Sequence, residues 1–160
     1  MTPKTATLSV FTPEELLKHW QGHRRLTRRV IDAFPDDQLF SFSIAGMRTF
    51  GAMALEILAM TVPTVHGVVS DEWIPLRDHA QHAKHELLAQ WDASTADLDR
   101  LWPQIPSRRF AETVTAFGQY TNVVYKLIAY AVDNEIHHRG QGYVYLRALE
   151  IEPPPFHIRA

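Results

Sequence analysis

The stretch DNEIHHRGQGYVYLRALEIEPPP, Asp133–Pro155, decides the fold of this chain. Three consecutive prolines end it, and proline cannot continue a helix. Upstream of that stop, apolar residues recur at helical spacing: Val124, Leu127, Ile128, Ala131, Tyr145 and Leu149. The pattern predicts one long helix that begins near Tyr120 or Thr121 and runs to about Leu149.

A second helix is predicted near the start of the chain. Thr12 is a good N-cap, Pro13 suits the first helical position, and Glu15 completes a capping box. The apolar face of this helix has six members: Leu16, Leu17, Trp20, Val30, Ile31 and Phe34. A gap in that face is filled by His23 and Thr27, and a Pro-Asp-Asp turn ends the helix.

A third predicted helix, Met47–Val69, is apolar nearly all round and should therefore be the most buried helix. Pro63 is expected to kink this helix or to end its regular part. The segment Gly51–Val69 is also long enough to cross a bilayer. It contains Glu56 and His66, and an ionisable group is costly in lipid, so a buried helix of a soluble protein is the favoured interpretation.

A further helix is predicted over His79–Trp102, and Ser107–Gln119 is either a short helix or an extended crossover. Four long amphipathic segments predict an all-α fold, a four-helix bundle forming a single domain over residues 1–160. The long connections allow crossovers, so a simple up-down-up-down order is not required.

Composition bounds the function. The chain has 160 residues, a formal net charge of −2 and no cysteine, which excludes thiolate nucleophiles and fits a reducing compartment. Met1–Phe11 lacks the apolar core of a signal peptide, so a cytoplasmic location is expected. The charge argues against nucleic-acid binding. One basic cluster is predicted to be a solvated helix face: Arg24, Arg25, Arg28 and Arg29.

Four polar residues are predicted to face the core, where a bundle can build a site from several helices. Glu56 lies among apolar residues, and Asn134 and His138 are one turn apart on the last helix. Glu56 is either hydrogen-bonded or metal-bound in the core, or it faces solvent at a rim, or it pairs with Arg48 or an arginine elsewhere. His138 is either part of a site or an ordinary core histidine. His23 is either a surface histidine or one more nitrogen in the pocket.

The remaining histidines carry less information. His137 points about 100° away from His138, so the adjacent pair does not share a face. Glu135 and His138 form one Glu-x-x-His pattern, but a di-metal carboxylate site needs two such patterns, so that site is rejected. Three histidines are expected on a solvated face of the third helix: His79, His82 and His85.

The quoted stretch resembles the DinB/YfiT-like superfamily of bacterial four-helix bundles. The segments GMRTFGAMALEI and HELLAQWDASTADLDRLW resemble its second and third helices. The resemblance implies a mononuclear divalent metal bound by three histidines: one on the second helix, and a His-x-x-x-His pair directly before Arg-Gly-Gln. Those positions are Glu56, Asn134 and His138 here, so two of the three imidazoles are replaced.

Two alternatives follow from these replacements. Glu56, Asn134 and His138 could hold a single divalent metal (Zn, Ni, Mn or Fe), more weakly than three imidazoles would. Alternatively the site is metal-free, with the Glu56 carboxylate bonded to His138 and Asn134 completing a polar network.

The resemblance therefore implies a stress-associated bundle protein with a degenerate or altered metal site, which binds a small molecule or a metal weakly. The alternative is a metal-dependent thiol S-transferase of the bacillithiol type, acting on a small thiol. A homodimer is also expected, with no nucleic-acid or membrane partner. Four residues of the last helix are its candidate interface: Gly140, Gly142, Tyr143 and Tyr145.

Overall fold

The computed structural model describes residues 11–74 and 83–160. Its elements are the helices α1 (Pro13–Ala33), α2 (Phe50–Ser70), α3 (Lys84–Leu101) and α4 (Val124–Ala148), and the strands β1 (Thr113–Ala116) and β2 (Tyr120–Val123). Four helices with little strand confirm the predicted all-α bundle.

The helix starts follow their caps. The Thr12 hydroxyl accepts from the Glu15 N–H at 3.2 Å and the Glu15 carboxylate accepts from the Thr12 N–H at 2.9 Å, so the predicted capping box is present. α2 begins three residues later than predicted because Thr49 caps it. Pro63 lies inside a helix that continues to Ser70, so the alternative in which it ends the helix is wrong.

A β-hairpin precedes α4, where the sequence had predicted helix from Tyr120 or Thr121. Thr113 pairs with Val123 and Ala116 pairs with Tyr120 in antiparallel register. Phe117 and Gly118 have φ of 52° and 69°, the left-handed geometry of a tight turn. β-branched residues on both strands favour pairing over helix. The ambiguous segment 107–119 holds a 3-10 turn followed by β1.

The helices run up-down-down-up. One core cluster joins the N-terminal halves of α1 and α4 to the C-terminal halves of α2 and α3; Trp20, Ile128, Val65 and Leu98 represent it. A second cluster joins the opposite halves; Ile31, Leu146, Phe50 and Leu87 represent it. α1 and α4 are therefore parallel to each other and antiparallel to α2 and α3, and the parallel α2–α3 pair requires a crossover.

α2 is the central helix and packs most extensively on α4 and α3. It is long and apolar enough to cross a membrane, but 56% of that window is buried inside the bundle, as expected of a core helix. A Cβ on Gly142 would lie 2.5 Å from the ring of Phe50, so glycine permits the close approach of α4.

Two members of the expected dimer interface lie in the core instead. Gly142 is buried against α2, and Tyr145 is 1% exposed, with its hydroxyl donating to the carbonyl of Arg48 at 2.9 Å. Both residues lie on the apolar face of α4, and they therefore pack in the core. Gly140 differs, since a Cβ there would meet nothing within 4 Å.

The prediction of a solvated basic face is wrong for Arg24. Its side chain is wholly buried, and the guanidinium lies 3.8 Å from the ring centroid of Trp91 and donates to the Trp91 carbonyl at 3.1 Å. Burial lowers the pKa of Arg24 to about 10, against the opposing effects of Glu135 and Asp92. Arg24 follows Trp20 by one turn, so it shares the apolar face of α1.

The other arginines of this cluster also have partners. Arg25 donates to the carbonyl of Arg159 at 3.0 Å, and Arg29 donates to the carbonyl of Ile158. Arg28 forms a bidentate pair with Asp92 at 2.6 and 2.9 Å. Two of the four side chains therefore hold the C-terminal segment against α1.

Candidate functional site

A cleft of about 890 Å³ opens between α2, the hairpin and the first half of α4. This volume lies within the range of small-molecule sites. Sixteen residues line the cleft: Arg48, Ala52, Leu55, Glu56, Ala59, Met60, Thr64, Ala116, Phe117, Gln119, Tyr120, Thr121, Asn122, Lys126, Leu127 and Tyr130.

The three predicted site residues meet beside this cleft. α2 supplies Glu56, and α4 supplies Asn134 and His138 from successive turns. Glu56 Oε1 lies 3.1 Å from His138 Nε2 and 3.2 Å from Asn134 Nδ2, and the two nitrogens are 3.3 Å apart. We refer to Glu56, Asn134 and His138 as the polar triad.

Arg48 neutralises the carboxylate of the triad. Its guanidinium binds Glu56 Oε2, the oxygen that does not face His138. Burial raises the pKa of Glu56, but hydrogen bonds from Arg48, His138 and Asn134 outweigh that effect and hold the pKa below its usual value. The Glu56 side chain is 33% exposed and that of His138 is 7% exposed, so the triad runs from the cleft into the core.

Two atoms of the triad have no hydrogen-bond partner among residues 11–74 and 83–160: Asn134 Oδ1 and His138 Nδ1. Both are buried. With its amide oriented this way, Asn134 presents a donor to the carboxylate, and an imidazole protonated on Nε2 presents a second donor. Glu56 Oε1 therefore accepts from both neighbours.

The family model for the DinB family matches residues 1–160. The chain belongs to the DinB family. This result confirms the resemblance drawn from the Asp133–Pro155 stretch. A comparison with curated proteins finds no match for this DinB-family chain.

Solved structures of similar fold include two DinB-like proteins. One is YjoA from Bacillus subtilis, with 18% identity, a TM-score of 0.75, and coverage of 91% of this chain and 99% of that chain. Another is from Bacillus cereus ATCC 10987, with 17% identity, a TM-score of 0.73, and coverage of 89% and 95%. A mutant of the mycothiol-dependent maleylpyruvate isomerase has 15% identity and a TM-score of 0.62 over 81% of this chain and 60% of that chain. At these identities the likeness concerns the fold.

The polar triad of this DinB-family protein does not fit a three-imidazole metal site. It contains one imidazole, one carboxylate that Arg48 already neutralises, and one amide whose nitrogen, a poor ligand, faces the other two groups. Within the described part of the chain, no group of three or more His, Cys, Asp or Glu side chains is placed to hold a metal.

The remaining histidine predictions have mixed outcomes. His137 is exposed and contacts Gln141, while His138 is buried, which confirms that the adjacent pair does not share a face. His85 is exposed as predicted, and His79 and His82 lie outside the described residues.

His23 was expected at the surface or in the pocket, but it is 2% exposed and lies apart from the triad. Its Nδ1 accepts from Arg139 at 2.9 Å, and its Nε2 lies 3.2 Å from that of His19. Burial and the positive charges of Arg139 and Arg159, with the neighbouring His19, lower the pKa of His23 to about 3. His23 therefore supplies no nitrogen to the triad.

A second polar cluster, between α1 and α4, was missed from the sequence. Glu135 is wholly buried and accepts from Trp20 Nε1 at 3.2 Å and from the Thr27 hydroxyl at 2.6 Å. Arg139 donates to the same hydroxyl at 3.1 Å. The signal was present, because Glu135 lies one turn after Ala131 on the apolar face of α4.

Proposed function

We propose that this DinB-family protein binds a small organic molecule in the cleft, with a polar triad that is closed by hydrogen bonds and holds no resident transition metal. The observation that carries the proposal is the set of partners around Glu56. Arg48 occupies one carboxylate oxygen, and His138 and Asn134 occupy the other.

The charges support a metal-free triad. Glu56 and Arg48 sum to zero, so a divalent cation would bring uncompensated charge into a partly buried place. Its ligands would be one imidazole, one amide oxygen and a carboxylate already shared with Arg48. Such a set is weaker than the imidazole and thiolate sets that retain transition metals.

The second candidate function is a metal-dependent thiol S-transferase with a weakly held divalent metal. It is favoured by one observation: the three donor positions are separated by 3.1 to 3.3 Å. Ligands at about 2.1 Å from one metal ion have separations of this size. Reorientation of the Asn134 amide would place Oδ1, which has no partner in the described chain, in the triangle.

Metal analysis separates the two candidates. Protein purified without a histidine tag should contain less than about a tenth of an equivalent of any transition metal, and should take up none on addition. Stoichiometric metal that Glu56→Ala and His138→Ala both remove would reject the metal-free proposal. A thiol-transfer assay would then test the second candidate.

Ligand binding in the cleft needs its own test. N-phenyl-1-naphthylamine, an uncharged aromatic probe, should bind wild-type protein with a rise in fluorescence. Ala59→Phe would fill the cleft from α2 and should abolish that rise. Ala89→Phe, at an exposed alanine of α3, is the matched control and should preserve it. Circular dichroism would verify that both variants fold. Equal fluorescence in the two variants would place the probe elsewhere and contradict cleft binding.

A further inference from the structure

We propose that the natural ligand of the cleft is an amphipathic organic anion: an apolar, preferably aromatic, body that carries a carboxylate, sulfonate or phosphate. This inference rests on the proposed function, because it specifies the ligand class of the same cleft. Three features carry it, namely an uncompensated lysine, a triad carboxylate that Arg48 already neutralises, and exposed tyrosines in the cleft lining.

Lys126 is a cleft-lining cation without a counter-charge. It is exposed and has no hydrogen bond or ion pair with any residue that the structure describes. The other cation of the lining, Arg48, is neutralised by Glu56. The charged side chains lining the cleft therefore sum to +1, in a chain whose formal net charge is −2.

The position of Lys126 strengthens this argument. It lies in the first turn of α4, at the positive end of the helix dipole, where a lysine is unfavourable. No acidic residue occupies that turn, and no side chain caps the helix. A bound anion would interact favourably with both the ammonium group and the helix terminus.

The triad offers little attraction to a cationic ligand. Glu56 is the acidic side chain of the lining, and Arg48 already neutralises its charge. A cation in the cleft would have to share that carboxylate with Arg48, whereas an anion finds Lys126 available.

The apolar part of the ligand is inferred from the tyrosines. Tyr120 on β2 and Tyr130 on α4 are 58% and 63% exposed, although both line the cleft. Large exposed rings beside a concave surface are typical of binding sites, because they offer stacking area at low entropic cost. Leu55, Met60 and Leu127 provide apolar surface in the same cleft.

A pair of probes with the same aromatic body tests the charge preference. 1-Anilinonaphthalene-8-sulfonate carries a sulfonate that N-phenyl-1-naphthylamine lacks. Wild-type protein should bind the sulfonate about fivefold more tightly, the effect of one favourable charge pair. Lys126→Gln should bring the ratio of the two affinities down to about one. Lys18→Gln, at an exposed lysine of α1 outside the cleft lining, is the matched control and should retain the preference.

The outcomes separate this inference from the proposed function. Equal binding of the two probes in wild-type protein, with Ala59→Phe still blocking both, would overturn the anion preference and leave cleft binding intact. A sulfonate preference that Lys126→Gln does not reduce would overturn the role of Lys126. If Ala59→Phe reduces the binding of neither probe, both proposals are overturned.

Discussion

Arg24 and Glu135 face each other across the α1–α4 interface, 3.8 Å apart, and neither side chain has any exposure to solvent. Each charge has further partners, since Trp20 and Thr27 donate to Glu135 and the carbonyl of Trp91 accepts from Arg24. Removal of one member leaves the other charge buried, which is far more costly than removal of an exposed pair.

Arg24→Met is therefore expected to destabilise the fold by about 3–5 kcal/mol, because it leaves the Glu135 carboxylate without its cation. The free energy of unfolding in urea at pH 7 measures this change. Arg28→Met removes an exposed pair with Asp92 on the same helix and should cost less than about 1 kcal/mol.

The double variant Arg24→Met/Glu135→Gln tests whether the unpaired charge causes the destabilisation. It should be more stable than Arg24→Met alone by about 1–2 kcal/mol, because the carboxylate that lost its Arg24 partner is itself removed. A double variant less stable than the single one would show that lost packing, and not the unpaired charge, dominates.

The two glycines of α4 should respond in opposite directions to alanine. Gly140→Ala should stabilise the monomer by about 1 kcal/mol, because the new methyl group meets nothing and helix propensity improves. Gly142→Ala should destabilise the fold, since its Cβ would lie 2.5 Å from the ring of Phe50.

Thermal unfolding of the two variants at the same protein concentration makes this comparison. A Gly140→Ala protein that is less stable than wild type, with a loss that shrinks on dilution, would indicate that Gly140 packs against a second chain. That outcome would retain the expected homodimer and identify this glycine as part of its interface.

The buried neutral His23 should make stability depend on pH. Its pKa is about 3 in the folded protein and about 6.5 in the unfolded chain, so the unfolded state binds more protons between these values. The contribution to stability is complete above pH 6.5 and declines as the pH falls toward 3. The fall from pH 6.5 to pH 5 should amount to about 1.5 kcal/mol.

His23→Gln removes this titration and keeps an acceptor for Arg139. The free energy of unfolding in urea, measured between pH 5 and 6.5, should then change less steeply with pH in the variant than in wild type. Most carboxylates titrate below this pH range. Parallel slopes for the two proteins would mean that His23 accepts its proton in the folded state after all.

Restoring the imidazoles should convert the triad to a metal site. The variant Glu56→His/Asn134→His would place three imidazoles at positions now 3.1 to 3.3 Å apart. It should take up about one equivalent of Zn²⁺, the expectation for three histidines plus water.

Glu56→His/Asn134→Ala, with two imidazoles, is the matched control and should bind much less Zn²⁺. Equal uptake by the control and the triple-imidazole variant would show that the metal binds at another place. No uptake by either would show that Arg48 or the backbone spacing, and not residue identity, prevents metal binding.

Local signals in the sequence were sufficient for much of this structure. The capping box of Thr12 and Glu15, the face shared by Asn134 and His138, and the burial of α2 all depend on residues within a few turns of one another. Glu56 could be assigned to the same site because the family resemblance supplied the one non-local relationship.

Other features depended on contacts that sequence spacing does not encode. The strand at Tyr120–Val123 forms only because β1 pairs with it, and periodicity alone extended α4 across it. Likewise, the cleft exists because the hairpin lies beside α2 and α4, which makes Lys126 and Tyr130 part of one lining.

By itself, the sequence determined the four helices and the capped start of α1, since helix periodicity and capping act over a few residues, and the family resemblance added the identity of the polar triad. Only the tertiary structure decided which charges have partners. Arg48 forms an ion pair with Glu56, Glu135 forms one with Arg24, and Lys126 has no such partner in the described chain. The physical reason is that charge compensation depends on distance in space, and helix packing brings together residues far apart in the chain.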